Sequence, residues 1–412
     1  MLKALRGRDL KALVMTAGVS YGGTALSVLS APLLARTVGA DGRGVLAAAF
    51  VTLQLLSWVS FLGLPRGLAL QGAKRSYVSG LGVIVVSLLG IVSAALAFGL
   101  SAVFANGDPR IEVAIKIGTV SLLASGLNQL GVEFLLLEGK IRAYNITRST
   151  VLVLPSLGII AAYFLDALSL QSAYIIMLSG QLLACILGCF FAVSLVRKAR
   201  RIPVPWDFSL KYWSTSALDQ VGTRADQLAL SALTQPATLG VYSLAVTCAT
   251  ASAGLTEALN TLAYSKLSQL QGTESKAFLR RRSLLGIACS LASGTMIVLA
   301  VHVFGRALFG PTFEGLTQIV VVLVLAQLVA DQWALRILAD SARETPNRLV
   351  LASIIGIAVL GGSIAALAVT GSLTGLTMGL VMVLFSAVRL TAWGALQSKS
   401  AGASTGPSRT GA

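Results

Sequence analysis

The sequence predicts an all-α, polytopic membrane protein with about twelve transmembrane helices in two parallel six-helix lobes, and three observations carry that prediction. Hydrophobic residues fill 55% of the 412 positions and charged residues only 12%, about half the charge share of an ordinary soluble domain. A soluble surface cannot be built from that composition. Apolar runs of roughly 20 residues, the length that crosses a hydrocarbon core, recur along the whole chain between short connections. Lysine and arginine gather in alternate connections, as expected when basic residues near span ends stay in the cytoplasm.

The first six runs lie near 12–36, 43–63, 78–104, 112–137, 147–166 and 171–196. The second six lie near 210–233, 238–262, 284–305, 315–338, 347–369 and 373–396. The N-terminal segment is basic, yet the run after it is too long for a signal peptide and lacks a small-residue cleavage site, so it reads as a retained anchor. One set of connections holds clusters such as Arg66, Lys74 and Arg75, then Arg197, Lys198, Arg200 and Arg201, then Arg280, Arg281 and Arg282. The opposite set holds Arg36, Arg43, Arg110, Lys116 and Arg306, a split of 25 to 5 between the two sets. Both ends are therefore expected in the cytoplasm. The lobes divide as 1–202 and 203–399, joined through a cytoplasmic linker near 197–209 with Pro203 and Pro205, and 400–412 reads as a disordered tail rich in Gly, Ser and Ala.

The formal charge of +16 does not indicate nucleic-acid binding, because the basic residues are scattered over many short loops instead of forming one stripe with interleaved aromatics. They carry topology and attract anionic headgroups of the bilayer. Cys185, Cys189, Cys248 and Cys289 all fall inside spans and read as small packing residues.

Two stretches repeat half a chain apart. Gly39 to Leu46 aligns with Gln235 to Tyr242 and sets Gly44-Val45 on Gly240-Val241, and Leu137 to Arg142 echoes Leu338 to Arg343. Six spans per repeat make the two copies parallel about an axis along the membrane normal, the organisation of two-lobed transporters.

A cavity between such lobes needs polar faces on the helices that line it. Thr16, Ser20, Thr24 and Ser27 share one face of the first span, and Ser216, Gln220, Thr223, Gln227 and Ser231 run along the seventh. Hydroxyl residues also glue membrane helices together, so packing is the alternative reading. The seventh span further carries Asp219, Arg224 and Asp226; a charge at that depth costs a few kcal/mol and marks a pathway unless an internal salt bridge accounts for it. Glu257 in the eighth span, Asp331 in the tenth and Glu133 in the fourth are further carboxylates, and Glu133 is close enough to a span end to snorkel, as are Arg36 and Arg389. The single histidine, His302, reads as an interfacial residue. The chain has no G-x-x-x-x-G-K-[ST], no HExxH and no Cys/His cluster, which predicts no nucleotide-driven step, no metal, no cofactor and no enzymatic chemistry.

Leu33 to Val45 resembles the loop after the first helix of polysaccharide flippases, the Wzx-like transporters of the multidrug/oligosaccharidyl-lipid/polysaccharide (MOP) exporter superfamily. Arg224 to Leu230, followed by Thr238-Leu239-Gly240-Val241-Tyr242, is similar to the matching element of that family's second lobe, and Leu137 to Asn145 to its loop after the fourth helix. Val38, Ala40 and Gln235 depart from the family's more usual Leu, Pro and Gly.

The resemblance implies a V-shaped pair of bundles that opens alternately to each side of a bacterial inner membrane. It implies as cargo an oligosaccharide on an undecaprenyl pyrophosphate carrier, supplied by glycosyltransferases and passed to a polysaccharide polymerase. A pyrophosphate needs cationic partners, for which Arg224 and Arg36 are the candidates; the polar stripes would meet the sugars; and Asp219, Asp226, Glu257 or Asp331 could take a coupling proton or sodium ion. The rivals are a cation-coupled multidrug exporter of the same superfamily and a polytopic glycosyltransferase or polymerase, which would need a long outer loop with acidic or His residues that the sequence lacks.

Overall fold

The computed structural model describes residues 7–254, 256, 260, 272–341 and 347–403. Helix α1 runs Gly7–Val59, 53 residues, about 80 Å if straight and far more than one crossing requires. It is interrupted at Gly39, whose φ of 69° is open to glycine at little cost. The two limbs are the first and second expected spans, joined with almost no loop.

The short helix α2 (Leu64–Arg75) follows, entered through Gly63 at φ 68°. The apolar runs place this stretch in the connection between the second and third spans, and a 12-residue helix cannot cross a bilayer. The third span is α3 (Gly80–Gly99), extended past Leu100 by the single turn α4 (Ser101–Ala105). Then come α5 (Pro109–Leu137), α6 (Ile141–Leu152) and α7 (Leu154–Phe164). The last two meet at a 41° bend and make one broken span; Pro155, in the first turn of α7, cannot donate into the preceding turn. Helix α8 (Leu170–Val196) closes the first lobe, opened by a capping box between Ser169 and Ser172.

The second lobe comprises α9 (Trp206–Leu233), α10 (Pro236–Ser252), α11 (Gly272–Phe309), α12 (Leu316–Ser341), α13 (Asn347–Val369) and α14 (Gly375–Ala403). Eight helices are long and apolar enough to span a membrane, nine with the bent pair. One of the eight is the 39-residue part of α1 that Gly39 divides. Helices α9 and α10 fall outside that test; α9 carries the intramembrane charges, and the described part of α10 has 17 residues. Counting them and both limbs of α1, the described helices give the twelve expected crossings. The chain is a multi-pass membrane protein. Residues 404–412, most of the tail read as disordered, lie outside the described residues.

The linker between lobes is ordered. Strand β1 (Val78–Ser79) pairs in parallel with β2 (Ala199–Arg200), the Ser79 hydroxyl donates to the Ile202 carbonyl at 2.8 Å, and the Gln71 amide donates to Pro203 at 3.1 Å. The linker is thereby held on the first lobe at the face rich in basic residues, called the basic face below.

Candidate functional site: the seam and cleft between the lobes

At the face opposite the basic one, the lobes meet where the second limb of α1 crosses α10. Lipid offers no hydrophobic drive for helix association, so close packing of small residues has to supply it. A Cβ at Gly44 would fall on the carbonyl oxygen of Pro236, and a Cβ at Gly240 on the carbonyl oxygen of Ala40, with Gly44 N only 3.0 Å away. The contact is reciprocal and follows the repeat, since Gly240 is Gly44 and Pro236 is Ala40 after the same shift of 196 positions. Around it lies the largest buried cluster, with Ala35, Ala48 and Ala49 of α1 against Tyr242, Leu244 and Ala245 of α10.

Hydrogen bonds extend the seam. Arg43 donates to the Thr247 hydroxyl at 3.0 Å, Ser231 to the Phe104 carbonyl at 2.7 Å and Asn106 to the Thr234 carbonyl at 3.1 Å. Arg36, exposed at this face, donates to the Ala307 carbonyl of α11. Arg110 bridges Asp41 and Asp108 at 2.6 Å each, and its guanidinium holds the Asp108 carboxyl below the usual carboxylate range.

Helix α9 runs between the lobes and touches the first at both ends. Near the basic face the Trp213 indole donates to the Val59 carbonyl at 2.8 Å, and Arg66, ion-paired to Glu133, lies 5.7 Å from the Tyr212 ring. A cavity of about 20 Å³ remains there between Trp58, Arg66, Gln129, Glu133 and Tyr212. Glu133 thus has a cationic partner on α2, which its position near a span end did not reveal.

Between these ends stand the charges of α9. Asp219, with 43% of its side chain exposed, accepts from Arg389 of α14 at 3.2 Å. Arg389 is itself buried, its guanidinium 4.3 Å from the Trp333 ring and 4.9 Å from Phe385. Sequence alone placed Arg389 near a span end; its cation–π partners lie on α12 and α14. Asp226 is 2% exposed and fully engaged, accepting from the Tyr242 hydroxyl at 2.6 Å and the Gln227 amide at 2.7 Å. Asp219 and Asp226 share a helix face but not an environment. Arg224 is half-buried and makes no hydrogen bond or ion pair among the described residues. Thr223 beside it is exposed, Gln220 half-buried and Gln227 buried.

On the first span, Thr24 is exposed and Ser27 half-buried, while the side chains of Thr16 and Ser20 lie outside those described. Asp331 sits deep in the second lobe, away from α9: it accepts from Ser290 at 2.6 Å and Gln327 at 2.8 Å, and Ser290 in turn pairs with Thr256 at 2.9 Å. Glu257 lies outside the described residues. Among the described residues no group of His, Cys, Asp and Glu could hold a metal ion.

No protein-family model and no curated protein matches the chain. Solved structures do. A lipid II flippase, MurJ, in an inward closed conformation matches with a TM-score of 0.75 at 12% identity, covering 94% of this chain and 87% of that one. An inward-facing multidrug resistance MATE-family transporter of the MOP superfamily matches with a TM-score of 0.70 at 10% identity, covering 93% and 96%. An outward-facing conformation of a MATE-family transporter of that superfamily matches less well, 0.55 at 12% identity over 95% and 96%. The chain shares the fold of these MurJ and MATE transporter structures.

Proposed function

We propose that the protein is a flippase that carries an anionic, lipid-linked oligosaccharide from the cytoplasmic to the outer leaflet of a bacterial inner membrane by alternating access. The observation that carries the reading is Arg224, a half-buried cation within the membrane with no hydrogen-bond or ion-pair partner among the described residues, on the helix that runs between the lobes. Leaving such a cation unpaired costs a few kcal/mol, and a phosphate or pyrophosphate headgroup supplies the missing counter-charge through charge-assisted hydrogen bonds. Exposed Thr223 and Thr24 and half-buried Gln220 and Ser27 offer donors and acceptors to sugar hydroxyls. Arg36 belongs to the outer seam, where a departing headgroup would meet it.

In this reading the basic face is cytoplasmic, as the positive-inside rule requires, and the tight α1–α10 seam closes the outer side. The greater likeness to inward-facing structures supports that state. Asp219 or the Asp331 cluster would take a coupling proton or sodium ion, and glycosyltransferases and a polymerase would work before and after the transport step. A second reading, a cation-coupled multidrug exporter, is favoured by one observation: the exposed Asp219 carboxylate, a counter-charge for an organic cation.

Proteoliposomes decide between them. The flippase reading expects a fluorescent lipid-linked oligosaccharide to become accessible to a membrane-impermeant quencher in a protein-dependent way, with no uptake of ethidium. Ethidium transport without lipid translocation would establish the exporter instead.

A further inference from the structure

A second cavity lies away from α9, on the first lobe. It has a volume of about 570 Å³, within the range of ligand sites, and is walled by the start of α1, the broken span α6–α7 and Leu183 of α8. Its chemistry changes with depth. Arg142, the one charged residue among the described residues that line it, stands at the basic-face end; Asn145, Ser149 and Thr150 follow; beyond the bend the lining is Val153, Leu154 and Leu157. From Arg142 to Leu157 is fifteen residues, about 22 Å of helix, somewhat more than the half-thickness of about 15 Å of a hydrocarbon core. Ile146, Leu154 and Leu157 remain exposed along the groove, so it opens sideways to the bilayer.

We propose that this groove binds the carrier end of the substrate, a polyprenyl chain with a phosphate or pyrophosphate headgroup paired to Arg142. A cation at the headgroup level, a short polar band and then an apolar trough reproduce the order of groups along such a lipid. The 41° bend between α6 and α7 leaves the trough, and close packing of Gly23 of α1 on Leu152 fixes its wall. Met15 and Val19 of α1 also line it, so the groove adjoins the helix that carries Thr24 and Ser27. The hydrocarbon stays in lipid while the headgroup crosses beside α1. This proposal rests on the flippase reading.

The test uses the full-length protein in phosphatidylcholine nanodiscs with a polyprenyl phosphate bearing a diazirine on its chain. Crosslinks mapped by mass spectrometry should fall on residues 146–157 and compete with unlabelled polyprenyl pyrophosphate. Arg142→Gln should weaken labelling about tenfold, the loss of one charge-assisted contact, Arg142→Lys should restore most of it, and Ser149→Trp should block it while the protein keeps its melting temperature. Labelling elsewhere, equal competition by phosphatidylglycerol, or labelling indifferent to Arg142 would each overturn the groove. The two readings fail separately. Absent labelling with intact lipid translocation removes the groove alone, whereas Arg142-dependent labelling without any translocation removes the flippase reading and leaves a lipid site.

Discussion

The first and seventh spans occupy equivalent places in the two lobes, yet they are built from different chemistry. The described part of the first offers Thr24 and Ser27, uncharged groups on a smooth face, and packs through Gly23. The seventh carries Asp219, Arg224 and Asp226 along its middle, and their fates differ: Asp219 is answered by Arg389 and Asp226 by Tyr242, while Arg224 has no ion-pair partner among the described residues. Buried ionic groups that are answered hold a bundle in one arrangement. One left unanswered inside a membrane is available to a ligand. The asymmetry between repeat-related helices therefore separates charges that have a partner from the one that has none more clearly than depth alone does.

The seam on which both spans depend is the most sensitive. In Gly240→Val the new side chain meets a backbone carbonyl that cannot yield, so the cost should reach the upper end of overpacking penalties, about 3 kcal/mol, read as a fall of many degrees in the detergent melting temperature. An unchanged melt would mean that α1 and α10 do not cross there. Tyr242→Phe leaves one oxygen of buried Asp226 without its donor, which should cost about 1–3 kcal/mol; Asp226→Asn, whose oxygen still accepts from the Gln227 backbone N–H while its NH2 donates to the Tyr242 hydroxyl oxygen, should cost less. If both variants melt like the parent, Asp226 is not engaged.

Asp219→Asn removes the counter-charge of Arg389. Because Asp219 is 43% exposed and solvent screens it, and because Trp333 and Phe385 still hold the guanidinium, the loss should be near 1 kcal/mol, well below that of a fully buried pair. A larger loss would mean that solvent does not screen Asp219. The smallest effect belongs to the exposed Asp41–Arg110–Asp108 group. Asp108 titrates lower when folded than when unfolded, so its contribution is complete above the ordinary carboxylate pKa of about 4. It fades as pH falls through the depressed folded value. Asp41→Asn should change the melting temperature by a degree or less at neutral pH.

The twelve crossings and the duplication were legible because both are written in composition and spacing, which the membrane constrains strongly. Gly44 and Gly240 were visible as a repeat, and the structure gives the reason for the match: each is required by the other half's backbone. Arg224 was legible as an intramembrane charge. What sequence could not supply was partnership. Arg389 reads as a snorkelling residue until Trp333, on another helix, is placed against it. Asp226 reads as a cavity group until Tyr242, sixteen positions on, turns toward it. Helix α2 and the 41° bend depend on local geometry that apolar runs do not encode.

The central claim, that unpaired Arg224 receives the anionic headgroup, is tested most directly by translocation of fluorescent lipid-linked oligosaccharide in proteoliposomes containing Arg224→Ala. The account predicts that translocation falls to the protein-free rate while the melting temperature holds, and that Arg224→Lys recovers a measurable part of it. Full translocation by Arg224→Ala would contradict the account.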